Sequence, residues 1–298
     1  MALVTPIASL VIAGVSFAVT GGLLLALVTA TQSGTDSRIS FETLASTAHP
    51  SPLKAPPRSV SPSPGPSGQP WSIRVALFRP LPLKRIALGA GTVCRTRATV
   101  PERLSQTQIS DGLVMGSLPP LQCRGGWIHL NGMDYRDGVE IDRVQQDWQI
   151  IQTVELERYV ASVVGAEMPS HWHPDALRAQ AIAARSYALT HLIRPASPRF
   201  HLGDTTRWQA YRGAISRSAA AVRAATETRG IVLSKDDQVV ESLYAANRAI
   251  TDEAHGHLGA SMSQNGAREL ADQGLSYQEI LGKFYPGTQL RLLRRNDG

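Results

Sequence analysis

The stretch from Pro174 to Pro195 limits this chain's folding more than any other. One proline suits the first turn of a helix, the other stops it, and alanine recurs between them at 176, 179, 181, 183, 184 and 188. So many small side chains let neighbouring backbones come close, which predicts a buried helix rather than a surface one. Asp175 adds a negative charge at the positive end of its dipole. Just upstream, Val154, Leu156, Tyr159, Val160, Val163 and Val164 fall on one face at helical spacing, and Gly165 reads as the terminator. The expectation is a helix that stops at Gly165, a carboxylate, Glu167, set in the break, and a second helix from Pro174. A carboxylate at such a junction can do chemistry. On spacing alone, the competing reading is a helix-terminal glutamate paired with Arg185.

The flanking sequence predicts an α+β fold, with a strand-rich first half and a helix-rich half carrying Glu167. Short apolar runs, SIRVALF and RIALGAG, are followed by GGWIHLNGMDYRDGVEI, with turn signals at Asn131-Gly132 and Tyr135-Arg136-Asp137-Gly138. After the alanine-rich helix, another is expected over Ser216 to Glu227, ended by Gly230, and then two strands in GIVLSKDDQVVESLYA. Ser276 and Glu279 form a capping box before Ile280 and Leu281. Residues 71–290 are therefore read as one folded domain.

The front of the chain is different. No charged residue occurs from Met1 to Thr35, and Ile7 to Ala30 is apolar for long enough to cross a bilayer. Residues 1–35 are read as a transmembrane anchor or an export signal. The first basic residue, Arg38, follows the apolar run, so charge does not support an inside N-terminus, and Val28-Thr29-Ala30 is a weak cleavage site. Residues 36–70 are read as a disordered tether, because eight prolines and five serines crowd residues 50–70 and no acidic residue occurs among them.

At 43% hydrophobic and 18% charged, the 298 residues otherwise read as a soluble globular protein. The formal charge of +6 and a pI near 9.6 suggest an acidic partner, with arginines at 194, 199, 207, 212, 217, 223 and 229, although a merely solvated basic face is the favoured reading of that run. Nucleic acid is not expected, because Phe200, Trp208 and Tyr211 are the only aromatics interleaved with that run. Cys94 and Cys123 lack the paired spacing of a zinc site; one disulfide or two buried thiols both fit. A Ser186–His191 nucleophile is disfavoured, since five residues on a helix separate their directions and no Gly-x-Ser-x-Gly elbow occurs.

Several blocks occur in order: Asn131-Gly132 with Tyr135 to Gly138, Leu156 to Tyr159, Glu167-Met168-Pro169, Ala176 to Ala181, Ala184 to Ala188, Gln209 with Tyr211 and Gly213, Gly256-His257, Met262 to Gln264, and Tyr285 to Thr288. Taken together, they resemble the SpoIID/LytB domain family of bacterial cell-wall proteins over roughly residues 125 to 290. The resemblance implies a lytic transglycosylase that cleaves peptidoglycan glycan strands and leaves 1,6-anhydro ends, with Glu167 as acid and then base. Gln180, Arg185 and Tyr187 are polar residues on a helix expected to be buried; they would orient Glu167 or line the groove, with simple core satisfaction an equal alternative, and Gln209 would join them in binding or orienting. His257, Ser263 and Gln264 would meet sugar hydroxyls, against the competing reading of ordinary turn structure. The alternative is a non-catalytic peptidoglycan-binding module or amidase enhancer, with a cell-wall amidase as partner. Either role implies the cell envelope, exported and either anchored or secreted.

Two departures from the family pattern matter. Zinc-binding members carry cysteines where this chain has Gly203 and Trp208, so no metal or other cofactor is expected. The pairs His171/His173 and His255/His257 lack thiol or carboxylate companions. Between Tyr244 and His257, Ala246 to Thr251 replaces a Ser-Gly-Gly-x-Thr element and a long insertion, which implies a shortened groove wall.

Overall fold

A computed structural model of the protein describes residues 39–43, 70–255 and 260–295. The segment and tether expected over residues 1–70 lie outside the described residues, apart from 39–43 and Pro70, and so does His257. Among the described residues, no helix is long and apolar enough to cross a membrane.

The architecture is α+β. Its helices, in chain order, are α1 (Gln106–Val114), α2 (Leu156–Glu167), α3 (Pro174–Ile193), α4 (Ala219–Glu227), α5 (Arg248–His255), α6 (Gln264–Asp272) and α7 (Tyr277–Phe284). The larger sheet has seven strands in the order Leu202–Gly203, Ser72–Ala76, Asp147–Glu155, Gly138–Val144, Leu121–Arg124, Val93–Thr96, Arg103–Leu104. Its first pair is parallel and the others antiparallel. Alternation sets the faces: Val139 and Ile141 point into the core while Gly138, Glu140 and Asp142 are partly open.

The Asn131-Gly132 turn signal is realised as a hairpin between Trp127–Leu130 and Met133–Arg136, with φ of 50° and 82° at the two turn residues. The Asn131 side chain accepts from the N–H groups of Lys84 and Arg85 at 2.9 Å each and so fixes the neighbouring loop. Cys94 faces Cys123 across two adjacent strands, and the pair is joined as a disulfide, which decides between the two possibilities left open by the sequence.

α3 is buried as its alanines imply, and α2, α4, α6, α7 and the strand Ile231–Lys235 all pack on it. α2 departs from expectation. It does not stop at Gly165 but continues to Glu167, and Met168 adopts extended φ and ψ of −126° and 139°. The residue before a proline is pushed out of helical conformation, so Pro169 is the terminator. Gly165 matters for close approach instead, because a Cβ there would lie 1.8 Å from the carbonyl oxygen of Ser216. The glycine admits a backbone to the helix surface.

The same contact changes the next expected helix. Gly213–Ser216 forms a 3-10 turn, the Ser216 hydroxyl donates to the Ser162 carbonyl at 2.8 Å, and α4 begins afresh behind Ser218, whose side chain accepts from the Ala221 N–H. The capping box at Ser276 and Glu279 is present as read from the sequence.

A cross-link spanning 29 positions removes about 3–4 kcal/mol of loop entropy from the unfolded chain. The double variant Cys94→Ala/Cys123→Ala is expected to lose about 2–4 kcal/mol of unfolding free energy in urea titrations, with reductant giving the wild type a similar loss.

Candidate functional site

Glu167 closes α2, where the last turn leaves the carboxylate between two other segments. Its Oε1 accepts from the backbone N–H of Ala210 at 2.7 Å, and its Oε2 accepts from Gln264 Nε2 at 3.3 Å. Burial pushes its pKa above the usual glutamate value, against the opposing pull of the Ala210 and Gln264 hydrogen bonds and of the Arg212 charge. Both hydrogen-bonding partners are neutral donors. That arrangement holds the carboxyl in place without forcing it to ionise.

The loop that supplies Ala210 is itself pinned. Asp204, fully buried, accepts from the N–H groups of Phe78 and Arg79 at 2.9 and 3.1 Å, tying the loop to the edge of the large sheet. Gln209 is held on three sides: it accepts from the Tyr159 hydroxyl at 2.9 Å and donates to the Ala184 carbonyl at 3.2 Å and to the Tyr244 hydroxyl at 2.9 Å. Tyr211 stacks on Tyr159 with ring centroids 5.0 Å apart and donates to Gln152 at 2.8 Å. Burial raises the pKa of Tyr159 and of Tyr244, and the Glu167 charge adds to both shifts, which places the two phenols within its field.

Gln264 enters from the start of α6. Ser263 caps that helix, its hydroxyl accepting from the Gly266 N–H at 3.0 Å, and so aims the next residue. The structure thus brings together Glu167, Gln209 and Gln264, with Ser263 in support. It places two other expected residues elsewhere. Arg185 is 0% exposed, and its guanidinium forms a bidentate pair with Glu157, Nε to Oε1 at 2.9 Å and Nη2 to Oε2 at 2.6 Å. It also donates to the carbonyls of Ala225 and Ile231 at 3.1 Å. The Glu167–Arg185 pairing allowed by the sequence is therefore replaced by Glu157–Arg185. Tyr187 lies with its ring 4.6 Å from His191, and burial together with the Glu241 charge pushes its pKa up to about 12.

Gln180 is 0% exposed, and neither end of its amide meets a hydrogen-bond partner among the described residues. Asp204, Ala210, Tyr159 and Tyr244 were not read as site residues from the sequence. Gly-Asp-Thr-Thr at 203–206 is a recognisable turn signal, but a backbone N–H such as that of Ala210 has no sequence signature.

Residues 144–234 match the family model described as SpoIID, Stage II sporulation protein. Over that segment the chain is similar to the SpoIID family. The segment holds Glu167, Gln180, Arg185, Asp204, Gln209 and Ala210; Tyr244, Ser263 and Gln264 lie beyond the SpoIID match. Among curated proteins, an uncharacterized protein of Brachyspira hyodysenteriae is 29% identical over 118 residues, covering 39% of this chain and 32% of that one. Stage II sporulation protein D of Bacillus subtilis is 26% identical over 125 residues, covering 37% of this chain and 36% of that one. The amidase enhancer of Bacillus subtilis is 30% identical over 99 residues, covering 33% of this chain and 13% of that one. The chain thus spans about a third of the length of the first two relatives.

Two stability measurements separate the structural residues from the rest. Glu157→Ala leaves a buried guanidinium without its counter-charge and is expected to cost about 3–5 kcal/mol in equilibrium unfolding. Gln180→Met removes an unpartnered buried amide at similar volume and is expected to raise stability by about 1 kcal/mol in the same assay.

Proposed function

We propose that the protein is a cell-envelope enzyme that cleaves peptidoglycan glycan strands by a lytic transglycosylase mechanism, with Glu167 as acid and then base. The observation that carries this reading is the environment of Glu167: a half-buried carboxyl with raised pKa, fixed by neutral donors on both oxygens. Similarity to Stage II sporulation protein D and to an amidase enhancer supports the cell-wall setting. A disulfide in the core fits an extracytoplasmic location. The apolar run at residues 7–30 and the Pro/Ser-rich tether would anchor or export the domain and let it reach the wall.

The two oxygens of Glu167 are not equivalent. Ala210 N–H can only donate, so Oε1 remains an acceptor and the acidic proton belongs on Oε2. Gln264 accommodates it by turning its amide oxygen toward that proton or by letting go. From Oε2 the proton passes to the glycosidic oxygen as the bond from C1 to the leaving sugar breaks. The resulting carboxylate takes the proton of the C6 hydroxyl on the sugar that carries this C1, as that oxygen bonds to C1, giving a 1,6-anhydro end without consuming water. One carboxyl group suffices for both transfers, whereas glycoside hydrolysis ordinarily recruits two. Asp204, the buried carboxylate on the neighbouring loop, already accepts from two backbone N–H groups, which suits it to structure rather than to activating water.

The second reading, a wall-binding module that enhances an amidase without cleaving glycan, is favoured by the amidase-enhancer relative. Incubating the full-length protein with purified glycan strands and analysing products by mass spectrometry distinguishes them. The enzyme reading expects anhydro-ended fragments from the wild type and a fall of at least about a hundredfold for Glu167→Gln with binding retained. No such ends from a folded wild type would leave the binding-module reading in its place.

The raised pKa also sets the pH dependence. The reactive form is protonated, so activity falls as pH rises through the folded-state value. Stability follows the same sign: below the unfolded glutamate pKa of about 4.3 the group is neutral in both states, and above it the folded state is increasingly penalised for a buried charge. Glu167→Gln is therefore expected to gain stability relative to wild type as pH rises from about 4 toward neutrality, read from urea midpoints.

A further inference from the structure

On the side of the loop that carries Ala210, three aromatic side chains from separate parts of the chain meet, Phe78 exposed and Phe200 and Trp208 partly exposed. Phe78 and Trp208 stack with centroids 5.9 Å apart and planes 3° from parallel, and Phe200 stands edge-on to Phe78 at 6.4 Å. The Arg207 guanidinium lies 5.1 Å from the Trp208 ring centroid. Phe78 is 42% exposed although Val75 and Leu77 of the same stretch are buried. Arg207 is exposed and, among the described residues, has no ion-pair partner.

The cluster is held in place by its surroundings. A Cβ on Gly203 would lie 2.4 Å from the Trp208 ring and 2.7 Å from Phe78, so the missing side chain is what lets the two rings lie together over the strand. Asp204 binds the backbone N–H groups of Phe78 and Arg79 and keeps the loop against the strand end. Trp208 lies two residues before Ala210, whose N–H reaches Glu167 at 2.7 Å. Trp208 and the Ala210 N–H that meets the Glu167 carboxylate are therefore carried on one short, pinned loop, with Phe78 stacked on Trp208 from just past the end of the strand Ser72–Ala76.

Resting on the glycan-strand reading of Glu167, we propose that Phe78, Trp208 and Arg207 form a saccharide subsite next to the cleavage point. It receives the C–H face of an N-acetylated sugar ring on the aromatics and sets a carboxylate substituent of that sugar against Arg207. The electron-rich face of an aromatic ring attracts the weakly positive C–H bonds of a pyranose, and a free guanidinium supplies the fork that a carboxylate matches.

The test measures affinity by titration calorimetry in the full-length Glu167→Gln background, which prevents turnover. Two probes are used: glycan strands that keep their lactyl carboxylates, and chitin oligosaccharides that lack them. Phe78→Ala is expected to weaken binding of both probes roughly fivefold to tenfold, and Phe78→Tyr to restore it. Arg207→Gln, an exposed change with little packing to lose, is expected to weaken only the carboxylate-bearing strands. Unchanged affinity in folded Phe78→Ala, or an Arg207→Gln effect equal on both probes, would overturn the subsite; anhydro ends from the wild type would show the Glu167 reading still standing. If neither probe binds and the wild type makes no anhydro ends, both readings fall.

Discussion

The arrangement of the helical half depends on the buried pair between Glu157 and Arg185. Besides the two charge-assisted bonds, Arg185 reaches carbonyls at the end of α4 and the start of Ile231–Lys235, and Glu157 Oε1 also accepts from the Gly230 N–H at 3.3 Å. One guanidinium thereby joins the first turn of α2, the middle of α3, the last turn of α4 and the strand that follows. Burying two charges is unfavourable in itself, and the multiple hydrogen bonds are what make it tolerable. α2 is consequently anchored at its beginning. Glu167, ten residues further on, sits about 15 Å along a rigid rod from that anchor.

The two glutamates of α2 show why the partner matters more than the residue type. Glu157 receives the buried guanidinium of α3, and its charge is matched. Glu167 receives a backbone N–H and an amide, which position it but carry no net charge, while Arg212 acts only from a distance. Had Arg185 reached Glu167, the ion pair would have pulled its pKa down rather than leaving it raised. A helix register that sends the arginine to the first turn leaves the carboxyl of the last turn without an ion-pair partner among the described residues.

Much of this was legible in the sequence where the signal is local. The limits of α3, the Asn131-Gly132 hairpin, the capping box at Ser276 and the placement of Glu167 at a helix junction follow from steric and capping rules that act over a few residues. Gly165 shows where those rules stop: it reads as a terminator, but its actual neighbour is the Ser216 carbonyl, 51 positions away, which no periodicity anticipates. The choice between Glu157 and Glu167 as the partner of Arg185 was equally invisible, because both lie on α2 and tertiary packing selects between them. Ala210 contributes through its backbone, so its side chain gives no hint of its place beside the carboxylate.

The shortened stretch after Tyr244 need not dismantle the site, because the residues on either side of it are joined directly. Tyr244 and Ala245 pair in parallel with Met262 and Ser263, and the Asn265 N–H donates to the Ala246 carbonyl at 3.0 Å. Tyr285 adds a further tie, its hydroxyl donating to the Leu243 carbonyl at 2.7 Å. The position of Gln264 therefore follows from this strand pairing and from the Ser263 cap, whatever the length of the chain between them. Tyr244 on one strand holds Gln209, and Gln264 just past the other reaches Glu167, so one short parallel pair controls both flanks of the carboxyl group. The hydrogen bonds to Glu167 therefore rest on residues on either side of the shortened segment rather than on the segment itself.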